Sequence, residues 1–169
     1  MKDILYRYRQ VCHDFAQITE NTNRAVAEYS ASFSCDYFGQ CKLPAVKVKD
    51  GLEEFTEVLT EYSSMIEDAS EKMISLVGEV EDYIADSLDK KDKANADEAE
   101  KLLNDLHRSE TLILTVLESC FGEFSAKLRA FLNLPGEMIT VNVGLIRSEA
   151  SVFTVRLKSY TEKITSLDG

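Results

Sequence analysis

The chain has 169 residues, of which 44% are hydrophobic and 29% charged, enough for one domain with a sizeable core and too apolar for a disordered tail. No apolar run approaches the ~20 residues that a membrane-spanning helix needs, and seven Gly and two Pro are too few for a fold of many short strands. Nineteen basic against thirty acidic side chains, a net charge of −11, argue against binding nucleic acid or anionic membrane through a general basic field.

The first predicted helix spans about 3–37. Ile4, Tyr8, Val11, Phe15, Ile18, Ala25 and Tyr29, with Thr22 in one slot, alternate by four and three, which is a heptad seam. Leu5, Cys12, Val26 and Phe33 widen that stripe, and Gly39 offers a left-handed stop. The second predicted helix runs from Asp50 to about Leu88 with the seam Leu52, Phe55, Leu59, Tyr62, Ile66, Ala69, Met73, Leu76, Val80 and Tyr83. Asp50 with Glu53 three residues later reads as its capping box, and an earlier start at Pro44 is the alternative because Ala45 and Val48 keep the register.

Asp89 to Ala94 reads as a charged turn, and Asn95 with Glu98 repeats the cap signature. The third predicted helix then runs to about Leu132 on the seam Ala99, Leu103, Leu106, Ile113, Leu117, Cys120, Phe124 and Phe131, with Glu110 and Lys127 in two slots of that seam. Each of those two needs a partner on another helix, an edge position or a local shift of register. After Asn133 to Gly136, a fourth helix carries Ile139, Val143, Ile146, Ala150, Phe153, Leu157, Tyr160, Ile164 and Leu167. Its start is open: Thr140 to Gly144 is rich in β-branched residues, so Asn142 is an alternative beginning. Short links between long rods predict an all-α, elongated up-down-up-down antiparallel four-helix bundle, one domain over 1–169, with coiled-coil-like seams crossing near +20°.

Catalytic signatures are missing. The residues three before His13 and His107 are Gln10 and Asn104, so the Glu-x-x-His pairs of a di-iron bundle do not occur. There is no H-E-x-x-H, no G-x-S-x-G, no phosphate-binding glycine loop and no calcium loop. No catalytic residue, cofactor or metal is therefore expected. Cys35 and Cys41, six apart, match no common zinc spacing; free thiols or a local disulfide both fit, while Cys12 and Cys120 fall within helices. The N-terminus has no apolar signal core and no small-residue cleavage site, which points to the cytosol, with leaderless secretion the alternative.

The charge is concentrated. Residues 50–88 hold twelve acids against one base, Lys72, whereas residues 1–33 and 137–169 are each neutral. Within the second helix Glu53, Glu54, Glu57, Glu61, Glu67, Asp68, Glu71, Glu81 and Asp82 fall away from the seam. They form either a solvated outer face or a docking strip for a basic protein partner. On the fourth helix a second line, Met138, Val141, Leu145, Val152 and Val155, lies outside the seam and suits self-association as a dimer through two copies of that helix, or a heterologous partner helix. The expected function is a non-catalytic protein–protein interaction module, an adaptor, chaperone or assembly subunit. A leaderless secreted or membrane-active helical protein and an acidic nucleic-acid mimic are the alternatives, and direct nucleic-acid binding is not expected.

Overall fold

The computed structural model describes residues 1–33 and 43–168, and among them there are helices and short links but no strand. The helices are α1 (Lys2–Ser32), α2 (Ala45–Asp89), α3 (Lys93–Thr115), α4 (Glu123–Leu132), α5 (Gly136–Val141) and α6 (Val143–Asp168). A π-helical segment, Val116–Gly122, joins α3 to α4 without a break, so these two form one long rod.

Helix α1 ends at Ser32, short of the expected 37, and Phe33 caps it; Gly39, Cys35 and Cys41 lie outside the described residues. Phe33 is buried on α2 because Gly51 makes room, since a Cβ there would stand 3.2 Å from its ring. The earlier start of the second helix is the observed one. Pro44 precedes it with φ −57°, its carbonyl accepts from the Lys47 and Val48 amides at 3.0 and 3.2 Å, and Val48 is fully buried.

The α2 terminus is a Schellman motif. The Asp92 amide donates to the Ser87 carbonyl at 2.8 Å and the Lys91 amide to Leu88 at 3.0 Å, with Lys91 left-handed at φ 58° where glycine is the usual residue. Asp92, not Asn95, caps the next helix, and its carboxylate accepts from the Asn95 amide at 3.2 Å. The Asn95–Glu98 signature fails because the Schellman turn closes so tightly that the chain is helical from Lys93.

Burial in α1 drifts from the expected seam: Thr19 and Val26 are buried while Ile18 and Ala25 are only half-buried. A straight helix of 3.6 residues per turn rotates its inner face by ~20° per heptad, which moves the buried line one residue along. In α3 and α4 the change is larger. Leu103, Leu117 and Phe131 are half-buried, and the inner line is Leu102, Leu106, Ser109, Ile113, Val116, Cys120, Phe124 and Leu128. Ser109 is fully buried because its hydroxyl meets the buried Tyr8 hydroxyl at 2.8 Å. Beyond it the π segment holds an extra residue, so burial recurs every fourth position from Val116 to Leu128. Glu110 and Lys127 therefore stand at edges. Glu110 lies 3.7 Å from His107, and Lys127 is paired with Glu149 at 2.7 Å.

The fourth predicted helix is split. The Asn142 side-chain amide donates to the Met138 carbonyl at 2.7 Å, taking the acceptor that its own backbone amide would use, and that backbone amide bonds Ile139 instead. Along α6, Val143, Ile146, Ala150, Phe153, Leu157 and Ile164 are buried as expected.

Helix α2 packs on α1, on the α3–α4 rod and on α5, while α6 packs on α1 and on that rod. Cross-links give directions. Arg7 meets Glu79 and Tyr29 meets Glu54, so α1 and α2 are antiparallel. Thr19 with Thr161 and Asn23 with Thr154 make α1 and α6 antiparallel too.

Two stability outcomes follow from these contacts. Ser109→Ala removes one of the hydrogen-bond partners of the buried Tyr8 hydroxyl, leaving it Cys12, and is expected to cost about 1 kcal/mol in urea denaturation, with Tyr8→Phe added to it restoring part of the loss. Lys91→Gly relieves the left-handed backbone and is expected to add up to about 1 kcal/mol, read as a rise of about 2–4 °C in Tm.

Candidate functional site

All nine carboxylates singled out on α2, Glu53, Glu54, Glu57, Glu61, Glu67, Asp68, Glu71, Glu81 and Asp82, are exposed. The seven-residue repeat sorts them into three lines. Glu54, Glu61, Asp68 and Asp82 lie on the side toward α1, as the 3.0 Å bond from the Tyr29 hydroxyl to Glu54 fixes. Glu57 and Glu71 are outermost, and Glu53, Glu67 and Glu81 lie on the far side. Among the described residues none of the nine is in an ion pair; the α2 carboxylates that are paired are Glu79, with Arg7, and Asp86, with Lys90.

The apolar line on the fourth predicted helix is shortened by the break at Asn142. Leu145, Val152 and Val155 share α6 and are 57%, 50% and 67% exposed, whereas Met138, also exposed, stands on α5. The Val141 side chain lies outside the described ones. Two of the charges that border the line on α6 are turned toward α4: Glu149 to Lys127 at 2.7 Å, and Arg156 to Glu123 at 2.8 Å.

The remaining reactive groups are held in structure. Cys12 and Cys120 are buried thiols, and burial pushes Cys120 up against a partly compensating Arg156, which keeps it protonated at neutral pH. The Tyr8 hydroxyl is raised by burial, with the Ser109 bond opposing. His13 is exposed and His107 half-exposed beside Glu110. Among the described residues no three His, Cys, Asp or Glu side chains converge on a common point, and no helix is long and apolar enough to cross a membrane.

One feature of the surface escaped the sequence: a furrow between α1 and α2, with Tyr6 and Met65 exposed along it. Both are apolar residues standing off the seam among charged neighbours, and that displacement is the only signal the sequence carried. Comparison with known protein families, with curated proteins and with solved structures found no match.

The ion pairs set an acid limit. Hydrogen bonds from Arg7 and Arg156 hold Glu79 and Glu123 below the usual carboxylate range. Lowered folded values mean that their stabilisation is complete above the unfolded value of about 4.3 and is lost as pH falls through the folded ones. Tm is expected to decline from about pH 4.5 downward, and Arg7→Gln with Arg156→Gln is expected to flatten that part of the decline.

Proposed function

We propose that the protein is a non-catalytic interaction module of the cytosol, an adaptor, chaperone or assembly subunit, built as an up-down-up-down antiparallel four-helix bundle. Its rods are α1, α2, the α3–α4 helix and α6. The antiparallel cross-links support that arrangement, and so does α2, where Leu52, Leu59, Ile66, Met73, Val80 and Ser87 are buried at every seventh position. One working surface is the outer face of α2, for a basic protein partner. The second is the line Leu145, Val152 and Val155 on α6, for a second copy of the chain.

The observation that carries the reading is the set of nine exposed carboxylates on one 45-residue helix, without ion pairs among the described residues. A rod of one sign steers a basic partner over a distance set by the Debye length, ~8 Å at physiological salt. The α6 line supplies the complementary kind of contact, an uncharged apolar strip suited to a two-fold interface.

Both surfaces have direct tests. Reversing Glu54, Glu57, Glu61 and Asp68 to Lys is expected to abolish capture of basic proteins from the native cell extract while leaving helicity unchanged by circular dichroism. Retention of the same captured proteins would return the acids to a solvating role. In sedimentation at several concentrations up to tens of micromolar, the wild-type chain is expected to dimerise and Leu145→Glu with Val152→Glu to remain monomeric. A wild type that stays monomeric would remove the second surface.

A further inference from the structure

The furrow between α1 and α2 consists of two adjoining depressions of about 330 and 310 Å³ that share Val11, Asp14 and Lys72. Its floor is formed by Val11, Ala69 and Leu76, which are 6%, 5% and 3% exposed, and the small Ala69 and Ser75 are what keep it open on the α2 side. An apolar side chain rises at each end, Tyr6 beside Leu76 and Met65 beside Ile18, with 67% and 46% of their surfaces in water. From Tyr6 to Ile18 along α1 is ~18 Å, about three helical turns. An amphipathic helix laid in a groove uses apolar anchors at i, i+4, i+7 and i+11, which span ~16 Å, so the two posts fit the outer anchors and the floor fits the inner two.

Negative charge outweighs positive around the furrow, although Arg7 and Lys72 also line it. Asp14 lines it from α1 and Asp68 from α2, and the α2 rim continues through Glu61 to Glu54, where Glu28 of α1 also adds to the negative field at Tyr29. Arg7, at the other end, is already engaged by Glu79 through two bonds of 2.7 and 2.8 Å and by Asp3 at 3.0 Å. Lys72 is the one other base within the furrow, and it makes no ion pair among the described residues.

We infer that this furrow is the seat for a single basic amphipathic helix of a partner protein, three to four turns long, with its apolar face on Val11 and Ala69 and its lysines or arginines against Asp14, Asp68 and Glu61. The inference rests on the reading of α2 as a face for a basic partner and narrows that face to its α1 side. Tyr6 and Met65 are the anchors that grip the helix ends, the acids set its sign and its rate of arrival, and Lys72 opposes it at the centre.

The probe is a fluorescent synthetic helix of about 18 residues with leucines at i, i+4, i+7 and i+11 and lysines elsewhere on its flanks, titrated with the full chain in anisotropy measurements. A second version carries glutamates in place of the lysines. Saturable binding of the lysine peptide and none of the glutamate peptide is expected, with amide shifts in labelled protein concentrated on the furrow residues of α1 and α2. Tyr6→Ala with Met65→Ala is expected to weaken binding about tenfold, and Asp14→Asn with Asp68→Asn by a similar factor at low salt. The control Glu53→Gln with Glu81→Gln removes equal charge from the far side of α2 and is expected to weaken it less than about threefold, while Lys72→Gln tightens it. Equal losses in the control and the furrow variants would overturn the furrow and leave the acidic face standing. Absence of saturable binding, or equal binding of the glutamate peptide, would overturn both. Dimerisation of the free protein that disappears in Tyr6→Ala with Met65→Ala would assign the furrow to a second copy and overturn the inference.

Discussion

Phe124 is the point at which the elements of this molecule are tied together. Its ring lies 5.6 Å from Phe55 of α2 in an edge-on contact and 4.8 Å from Phe153 of α6 in a stacked one. Phe55 in turn touches Tyr29 of α1 at 5.1 Å, and Phe153 touches Phe121 at 5.2 Å. Five rings thus connect α1, α2, the α3–α4 rod and α6. Aromatic pairs of this kind stabilise by about 0.5–1.5 kcal/mol each beyond the area they bury. The contacts require Phe121 and Phe124 to face inward together, as residues three apart do on a helix; the π segment Val116–Gly122 ends between them. Gly122 sits at the end of that segment, where a Cβ would come within 3.3 Å of the Leu117 carbonyl.

The acidic helix is stable for reasons separate from its charge. Glu53, Glu57 and Glu61 stand four apart, as do Glu67 and Glu71, and like charges at that spacing oppose the helix. The opposing term is the mainly apolar inner face that runs from Val48 to Val80. Because core and charge occupy opposite sides of one rod, the carboxylates can be changed with little effect on packing. In the bundle proposed above, a partner can therefore act on this face without disturbing the interior.

The elements differ in how plainly the sequence announced them. Helix α2 was legible almost residue by residue because one apolar pattern runs its length, and the outward placement of the nine acids came with it. The α3–α4 register was not, since the residue that fixes it is Ser109, a buried polar group that apolar periodicity reads as surface. Its partner Tyr8 is 101 positions away in the chain, a pairing no local pattern contains. Thr19 disguises the inner face of α1 in the same way, whereas Thr22 already stood in the predicted seam. Their hydroxyls bond the Ala16 and Ile18 carbonyls, which lets them sit in the core. The furrow was invisible for a different reason: it is a space between two helices, made by the smallness of Ala69 and Ser75, and a linear sequence shows residues rather than gaps.

The apolar line on α6 is bordered by charges that pair with the same stretch of the α3–α4 rod that makes the aromatic contacts. A strict alternation of three and four would place Lys127 on the inner face of α4; with burial recurring at Phe124 and Leu128 instead, Glu123 and Lys127 fall at the edge toward α6. There they engage Arg156 and Glu149, the two charges that border Val152 on its own helix. Each pair is partly exposed and contributes little to stability, but both direct charge away from the outer side of α6. What is left outside is Leu145, Ser148, Val152 and Val155, a strip without a charged side chain of its own. The register of the α3–α4 rod thus serves the interior through Phe124 and Leu128 and the surface through Glu123 and Lys127.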